Sequence, residues 1–169
     1  SAIGVATSTT PTGPWQASPT PVVAPRRSGP GCSFAWTYDP DVVRDDNGSR
    51  YLYYGSYGGG MFVQRLSADG LRVSGGATLV GARERYEGAE VVHHDGMWYL
   101  FASSTDCCAG PLTGYSIFVG GANSPEGPFL DRLGSDMEAA RAGGTPRVPQ
   151  EGGRWLGAGH NPVFAAAAG

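Results

Sequence analysis

Lysine is absent from this 169-residue chain, and all 12 basic residues are arginine. Charge of either sign is scarce, at 16% of residues with a formal net charge of -3. An average soluble domain carries ~25% charged residues, so this is neither a solvating tail nor a disordered acidic segment. No basic stripe is present to track phosphates, which argues against a nucleic-acid binder. No apolar run approaches the ~20 residues that span a bilayer. The opening Ser1-Ala2-Ile3-Gly4 has no basic or apolar leader region, so no signal peptide is legible in this chain. Cysteine is rare too: three residues, two of them adjacent, make no disulfide framework. We expect Cys107 and Cys108 to be small buried thiols rather than a strained ring. Helical periodicity is confined to one short candidate, 135–142, which ends at Gly143-Gly144.

Turn formers are abundant: Gly 28 and Pro 13 exclude a helix bundle. Between them lie brief apolar runs such as Tyr51-Leu52-Tyr53-Tyr54, Met61-Phe62-Val63, Met97-Trp98-Tyr99-Leu100-Phe101 and Ser116-Ile117-Phe118-Val119. Turn signals such as Asn47-Gly48 and Asp95-Gly96 bound them, so the chain reads as all-β.

Two internal repeats refine that reading. Tyr38-Asp39 and Tyr86-Glu87 are offset by 48 residues, as are Gly48 and Gly96, and Tyr51-Leu52 and Tyr99-Leu100. One inserted residue pairs Val42-Val43 with Val91-Val92. Separately, Ile3 and Pro11-Thr12-Gly13-Pro14-Trp15 match Ile117 and Pro125-Glu126-Gly127-Pro128-Phe129. A period near 48 is the size of one four-stranded propeller blade. A β-sandwich would not explain why an acid opens the same strand twice. Gly159-His160-Asn161-Pro162-Val163-Phe164 resembles the 39–43 stretch and opens a third unit, near Gly153-Arg154-Trp155.

In a propeller the first strand of every blade lines a central channel, so Asp39, Glu87 and His160 would converge there. Two carboxylates across a sugar-sized gap can divide glycoside hydrolysis between a proton donor and an ionised partner. The alternative is a pair of solvated residues ahead of strands. His160 could be a metal ligand or an ordinary hydrogen-bonding residue. His93-His94 falls in a polar turn and reads as solvated. No Cys/His spacing suggests zinc. The aromatic stock suits sugar stacking and strand packing equally.

The stretches 39–56 and 87–103 resemble the second- and third-blade motifs of glycoside hydrolase family 43. Within it, Asp106-Cys107-Cys108-Ala109-Gly110 and Gly157-Ala158-Gly159-His160-Asn161 are most similar to the arabinan endo-1,5-α-L-arabinosidases. The resemblance implies an all-β, five-bladed β-propeller, of which this chain covers about three and a half blades. The end of blade I would be 1–16, blade II 34–80, blade III 82–131 and the start of blade IV 143–169.

The same resemblance implies an inverting glycoside hydrolase acting on α-1,5-linked L-arabinan of the plant cell wall. Glu87 would be general acid and Asp39 the carboxylate that tunes its pKa and orients it. Tyr38, Tyr57, Asp106 and Cys107 would bind substrate. His160 would be the protein ligand of calcium in the central channel, an unusual site for a cation that prefers oxygen. Gly58, Ala109 and Gly121 depart from the family pattern, which bears on chain-length preference and endo action more than on reaction class. The family's general base is an Asp upstream of an Ile-Gly-x-Ala-x-Ser strand, here Ile3-Gly4-Val5-Ala6-Thr7-Ser8. The base is therefore expected ahead of Ser1, and the chain by itself is expected to be inactive. A poly- or oligosaccharide would be the partner, with no nucleic acid or membrane, in a secreted or periplasmic protein. Rival readings are a xylosidase or exo-acting arabinofuranosidase, and a non-catalytic sugar-binding propeller.

Overall fold

Short apolar runs between polar turns become antiparallel strands in the computed structural model, which describes residues 1–27, 34–105, 107–139, 143–149 and 156–164. A first four-stranded meander runs in chain order through β5 (Tyr38–Arg44), β6 (Arg50–Ser56), β7 (Gly60–Leu66) and β8 (Val73–Gly81). A second holds β9 (Tyr86–His94), β10 (Met97–Ser104), β11 (Ser116–Ala122) and β12 (Thr145–Val148). Ahead of them lie two two-stranded pairs, β1 (Ala6–Thr7) with β2 (Gln16–Ala17) and β3 (Arg26–Arg27) with β4 (Phe34–Ala35). Strand β5 packs beside β9, so the meanders are neighbouring propeller blades with their first strands innermost.

The turn chemistry is local. Asp95 and Gly96 have φ of 51° and 75°, the two positive values that a tight β9–β10 hairpin requires. Asp45 accepts the Ser49 N–H on its Oδ1 at 2.7 Å, closing the β5–β6 turn. Both Gly-Pro bonds of the longer repeat, Gly13-Pro14 and Gly127-Pro128, are cis.

Strand alternation then divides the core. Tyr51 and Tyr53 of β6 face Val91, Trp98 and Leu100 of the second blade. Leu52 and Tyr54 of the same strand face Ile3, Val22 and Val23 of the N-terminal arm. Each such buried aliphatic side chain contributes ~1.5–3 kcal/mol, and β6 is covered on both faces. The buried Tyr53 hydroxyl donates to the Pro125 carbonyl at 2.7 Å, tying the blades together.

Three expectations need correction. The second blade does not close by 131: its fourth strand is β12, whose Thr145 pairs with Val119 and Val148 with Ile117. The intervening chain doubles back through bridges from Leu130 to Gly121 and Asp136, anchored by fully buried Phe129 and Met137. Residues 143–149 thus belong to this blade rather than opening the next. The helix candidate is absent among the described residues, since 135–139 form a bridge and bends, and 140–142 lie outside them. His93 is not solvated: its side chain is 10% exposed and its ring stacks on Trp98 at 4.4 Å.

Candidate active site

Three residues at corresponding places have positive φ: Asp39 at 52°, Gly88 at 61° and His160 at 53°. Three positions later in each unit stand Val42, Val91 and Val163. The Val91 N–H donates to Asp41 Oδ2 at 2.7 Å, and the Val163 N–H donates to Glu90 Oε1 at 3.0 Å. Asp41 and Glu90 each stand two residues after a positive-φ position. Every inner segment is therefore fastened to the next by the same carboxylate-to-amide bond. By backbone conformation, Asp39 corresponds to Gly88, and Glu87 stands one residue earlier than the offset of 48 implied. The β-pairing irregularity between Tyr38 and Asp41 occupies the same place in the first blade.

That one-residue step brings the two acids into one network. Asp39 Oδ2 accepts the Gly88 N–H at 3.2 Å, next in sequence to Glu87. Asp39 Oδ1 lies 3.9 Å from His160 Nε2, which stands on the third segment. Glu87 Oε1 accepts the Tyr115 hydroxyl at 2.9 Å. Burial above all pushes the Tyr115 phenol up to about 12, and the neighbouring Glu87 and Asp39 charges add to the rise. Tyr115 therefore stays a hydrogen-bond donor throughout the neutral range. The His160 N–H donates to Ser103 Oγ at 2.6 Å, and Ser103 faces Glu87 across the β9–β10 pairing.

Two glycines make this convergence possible. A Cβ on Gly88 would stand 3.1 Å from His160 Nδ1, at a positive φ that disfavours side chains. A Cβ on Gly159 would lie 2.2 Å from Cδ1 and Cε1 of the Tyr115 ring. The 157–163 segment is thus packed directly over the tyrosine that holds Glu87.

The proton affinity of Asp41 departs clearly from that of an ordinary carboxyl. Burial raises it to about 6, the Val91 N–H opposes the rise, and the Glu90 charge adds to it. Neither Asp41 nor Tyr115 is among the site residues expected from the sequence. The signal for Asp41 was its position two residues after Asp39 on one strand face. Tyr115 had none, because its partner lies 28 residues away.

The expected substrate-binding residues are less gathered. Tyr38 is 46% exposed, with its ring 6.1 Å from Trp36. Tyr57 is 40% exposed beside a small cleft that Glu84, Arg85 and Thr105 also line. Asp106 lies outside the described residues. Cys107 and Cys108 differ from expectation, being joined to each other in an exposed disulfide. Their bend projects from the β10–β11 connection into solvent, where no core packs around a thiol.

Among the described residues no three His, Cys, Asp or Glu side chains form a metal cluster. A channel cation would therefore take the His160 imidazole and rely on water for most other positions. Asn161 offers one more donor, since its Oδ1 is buried without a hydrogen-bond partner. That orphaned oxygen, on the residue next to His160 in sequence, suits a cation such as calcium, which prefers oxygen ligands.

The glycosyl hydrolases family 43 model matches residues 1–169. The extracellular endo-α-(1→5)-L-arabinanase 1 of Bacillus subtilis is 29% identical over 129 residues, 74% of this chain and 39% of that protein. The extracellular exo-α-(1→5)-L-arabinofuranosidase of Cellvibrio japonicus is 28% identical over 142 residues, 75% of this chain and 40% of that protein. Among solved structures, Cellvibrio cellulosa α-L-arabinanase complexed with arabinohexaose superimposes with a TM-score of 0.82 at 26% identity. That match covers 98% of this chain and 56% of the arabinanase. The chain thus spans well under two thirds of the length of these relatives.

Proposed function

The chain belongs to glycosyl hydrolase family 43, and we propose that it serves an enzyme that cleaves α-1,5-linked L-arabinan with inversion. The observation that supports this reading is the convergence of Glu87, which accepts the Tyr115 hydroxyl, with Asp39, which accepts the Gly88 amide and lies 3.9 Å from His160. The glycosidase activity, the substrate linkage and the roles below are our assignment.

In this reading Glu87 is the general acid. It presents one carboxyl oxygen to Tyr115, which fixes the group's orientation and leaves the other oxygen to protonate the departing sugar. Asp39 is tethered by the Gly88 amide, next in sequence to the acid, and we assign it the part of the assisting carboxylate that orients the acid. Inversion also needs a carboxylate that activates water on the far face of the sugar. We assign that role to none of the residues described here. His160 and Asn161 would hold calcium, which would supply fixed positive charge in the channel. Tyr38 and Tyr57 offer exposed aromatic faces for sugar rings, and Asp106 and Cys107 are assigned to substrate on family resemblance. An arabinan substrate lies outside the cytoplasm, and the curated relatives cited are extracellular by name, so we place this protein there too.

The test is hydrolysis of linear α-1,5-arabinan and of xylan by the protein that carries this sequence, with products followed by proton NMR. Release of β-configured arabinose ends from arabinan, with none from xylan, is expected. Attack on xylan alone, or an α-configured initial product, would overturn the reading. A second reading, exo action, is favoured by the exo-acting Cellvibrio japonicus relative. Products of one size from the first minutes would select it.

A further inference from the structure

We infer that the cleft between the N-terminal arm and the first blade is a carboxylate-binding subsite for a uronic acid residue of the polysaccharide. The cleft has a volume of about 520 Å3, and Arg26, Arg27, Arg83 and Trp36 line it. That volume falls within the ~300–1,000 Å3 of small-ligand sites. Three arginines line it, and no Asp or Glu does among the described residues.

Arg26 is held rigidly. Its guanidinium carbon lies 4.2 Å from the Phe62 ring centroid and 5.3 Å from that of Tyr54. Its Nε and Nη2 are covered by protein yet make no hydrogen bond. Neither Arg26 nor Arg83 forms an ion pair among the described residues. Burial lowers the Arg26 pKa, and the Arg83 charge pushes the same way, so the two like charges feel one another. Arginine nevertheless stays charged at neutral pH. Arg26 and Arg83, two neighbouring guanidinium groups with no ion pair among the described residues, favour an anion, and their planar donors match a carboxylate.

The other half of the argument is apolar. Trp36 is 64% exposed in the same lining, a free aromatic face on which a sugar ring can stack. A free phosphate has no such face. Gly58 also lines the cleft, and a Cβ there would meet nothing within 4 Å, so the space over the arginines is open. The place suits a polysaccharide: Trp36 contacts Tyr38, next in sequence to Asp39, at the end of the blade where the carboxylates converge. The choice of a uronate over other carboxylates rests on the glycosidase reading; the anion chemistry does not.

The test is calorimetric titration with digalacturonate, its dimethyl ester and inorganic phosphate, with arabinotriose in parallel. Parent, Arg83→Gln and Gly58→Trp proteins are compared, and circular dichroism melts check each fold. Digalacturonate is expected to bind the parent and quench tryptophan fluorescence. Its affinity should fall at least ~10-fold in Arg83→Gln, the effect of losing one charged hydrogen bond. Gly58→Trp should block it sterically, and the uncharged ester should not bind. Binding of ester and acid alike, or of phosphate but not digalacturonate, would overturn the proposal. Arabinotriose binding without digalacturonate binding would overturn the subsite alone. The reverse result would support the subsite and overturn only the arabinan reading.

Discussion

Replacing Asp41 by Asn removes the buried acid that fastens β5 to β9. The folded protein raises this carboxyl from its ordinary 3.8 to about 6, with burial the main cause. Between those two pH values the folded state holds more protons than the unfolded chain. Stability therefore falls as pH rises from about 4 to about 6, and the penalty is fully present above that window. At 1.36 kcal/mol per pKa unit the shift would be worth about 3 kcal/mol. The carboxyl keeps some contact with water, and screening reduces this to ~1–2 kcal/mol. Asn still accepts the Val91 N–H but carries no charge to desolvate. For a domain of this size ~1 kcal/mol moves Tm by ~2–4 °C. Melting curves of parent and Asp41→Asn at pH 4.5 and 7.5 provide the assay. The variant's Tm relative to the parent should rise by about 3–6 °C between the two pH values. Parallel curves would refute the reasoning, because the Asp41 proton would then contribute nothing to the pH dependence.

Tyr115→Phe is expected to lower kcat on arabinan ~10-fold with little change in KM, from the loss of one hydrogen bond to a charged group. Steady-state kinetics check this, and an unchanged kcat would show that Glu87 needs no such partner. Gly159→Ala places a Cβ 2.2 Å from the Tyr115 ring and should cost ~1–3 kcal/mol, read by urea unfolding. An unaltered midpoint would mean that the 157–163 segment yields freely. His160→Ala should abolish any calcium-dependent rise in Tm while leaving the fold intact by circular dichroism. A calcium response equal to the parent's would remove His160 from the metal site.

Local signals carried most of the fold. Asn47-Gly48 and Asp95-Gly96 mark their hairpins because turn geometry is decided within four residues. Val42-Val43 and Val91-Val92 mark the inner strands, and extended backward their offset of 49 would have aligned Asp39 with Gly88. Long-range pairings were invisible. Strand β12 meets β11 only after the chain doubles back over Phe129 and Met137, and nothing in the Thr145–Val148 segment declares its partner. Tyr115 and Glu87 meet for the same reason, by docking of one strand's end over another's. Chemistry between neighbours can also escape notice: Cys107 and Cys108 read as thiols, yet an exposed bend leaves them no core to join.

The role of Glu87 is tested most directly by Glu87→Gln in the protein that carries this sequence, assayed on arabinan and on an aryl arabinoside with an activated leaving group. Turnover of arabinan should fall at least ~100-fold, the lower range of general-acid contributions. The aryl substrate needs little protonation and should be spared, and arabino-oligosaccharide binding should persist. Arabinan turnover within twofold of the parent would contradict the assignment of Glu87 as the acid.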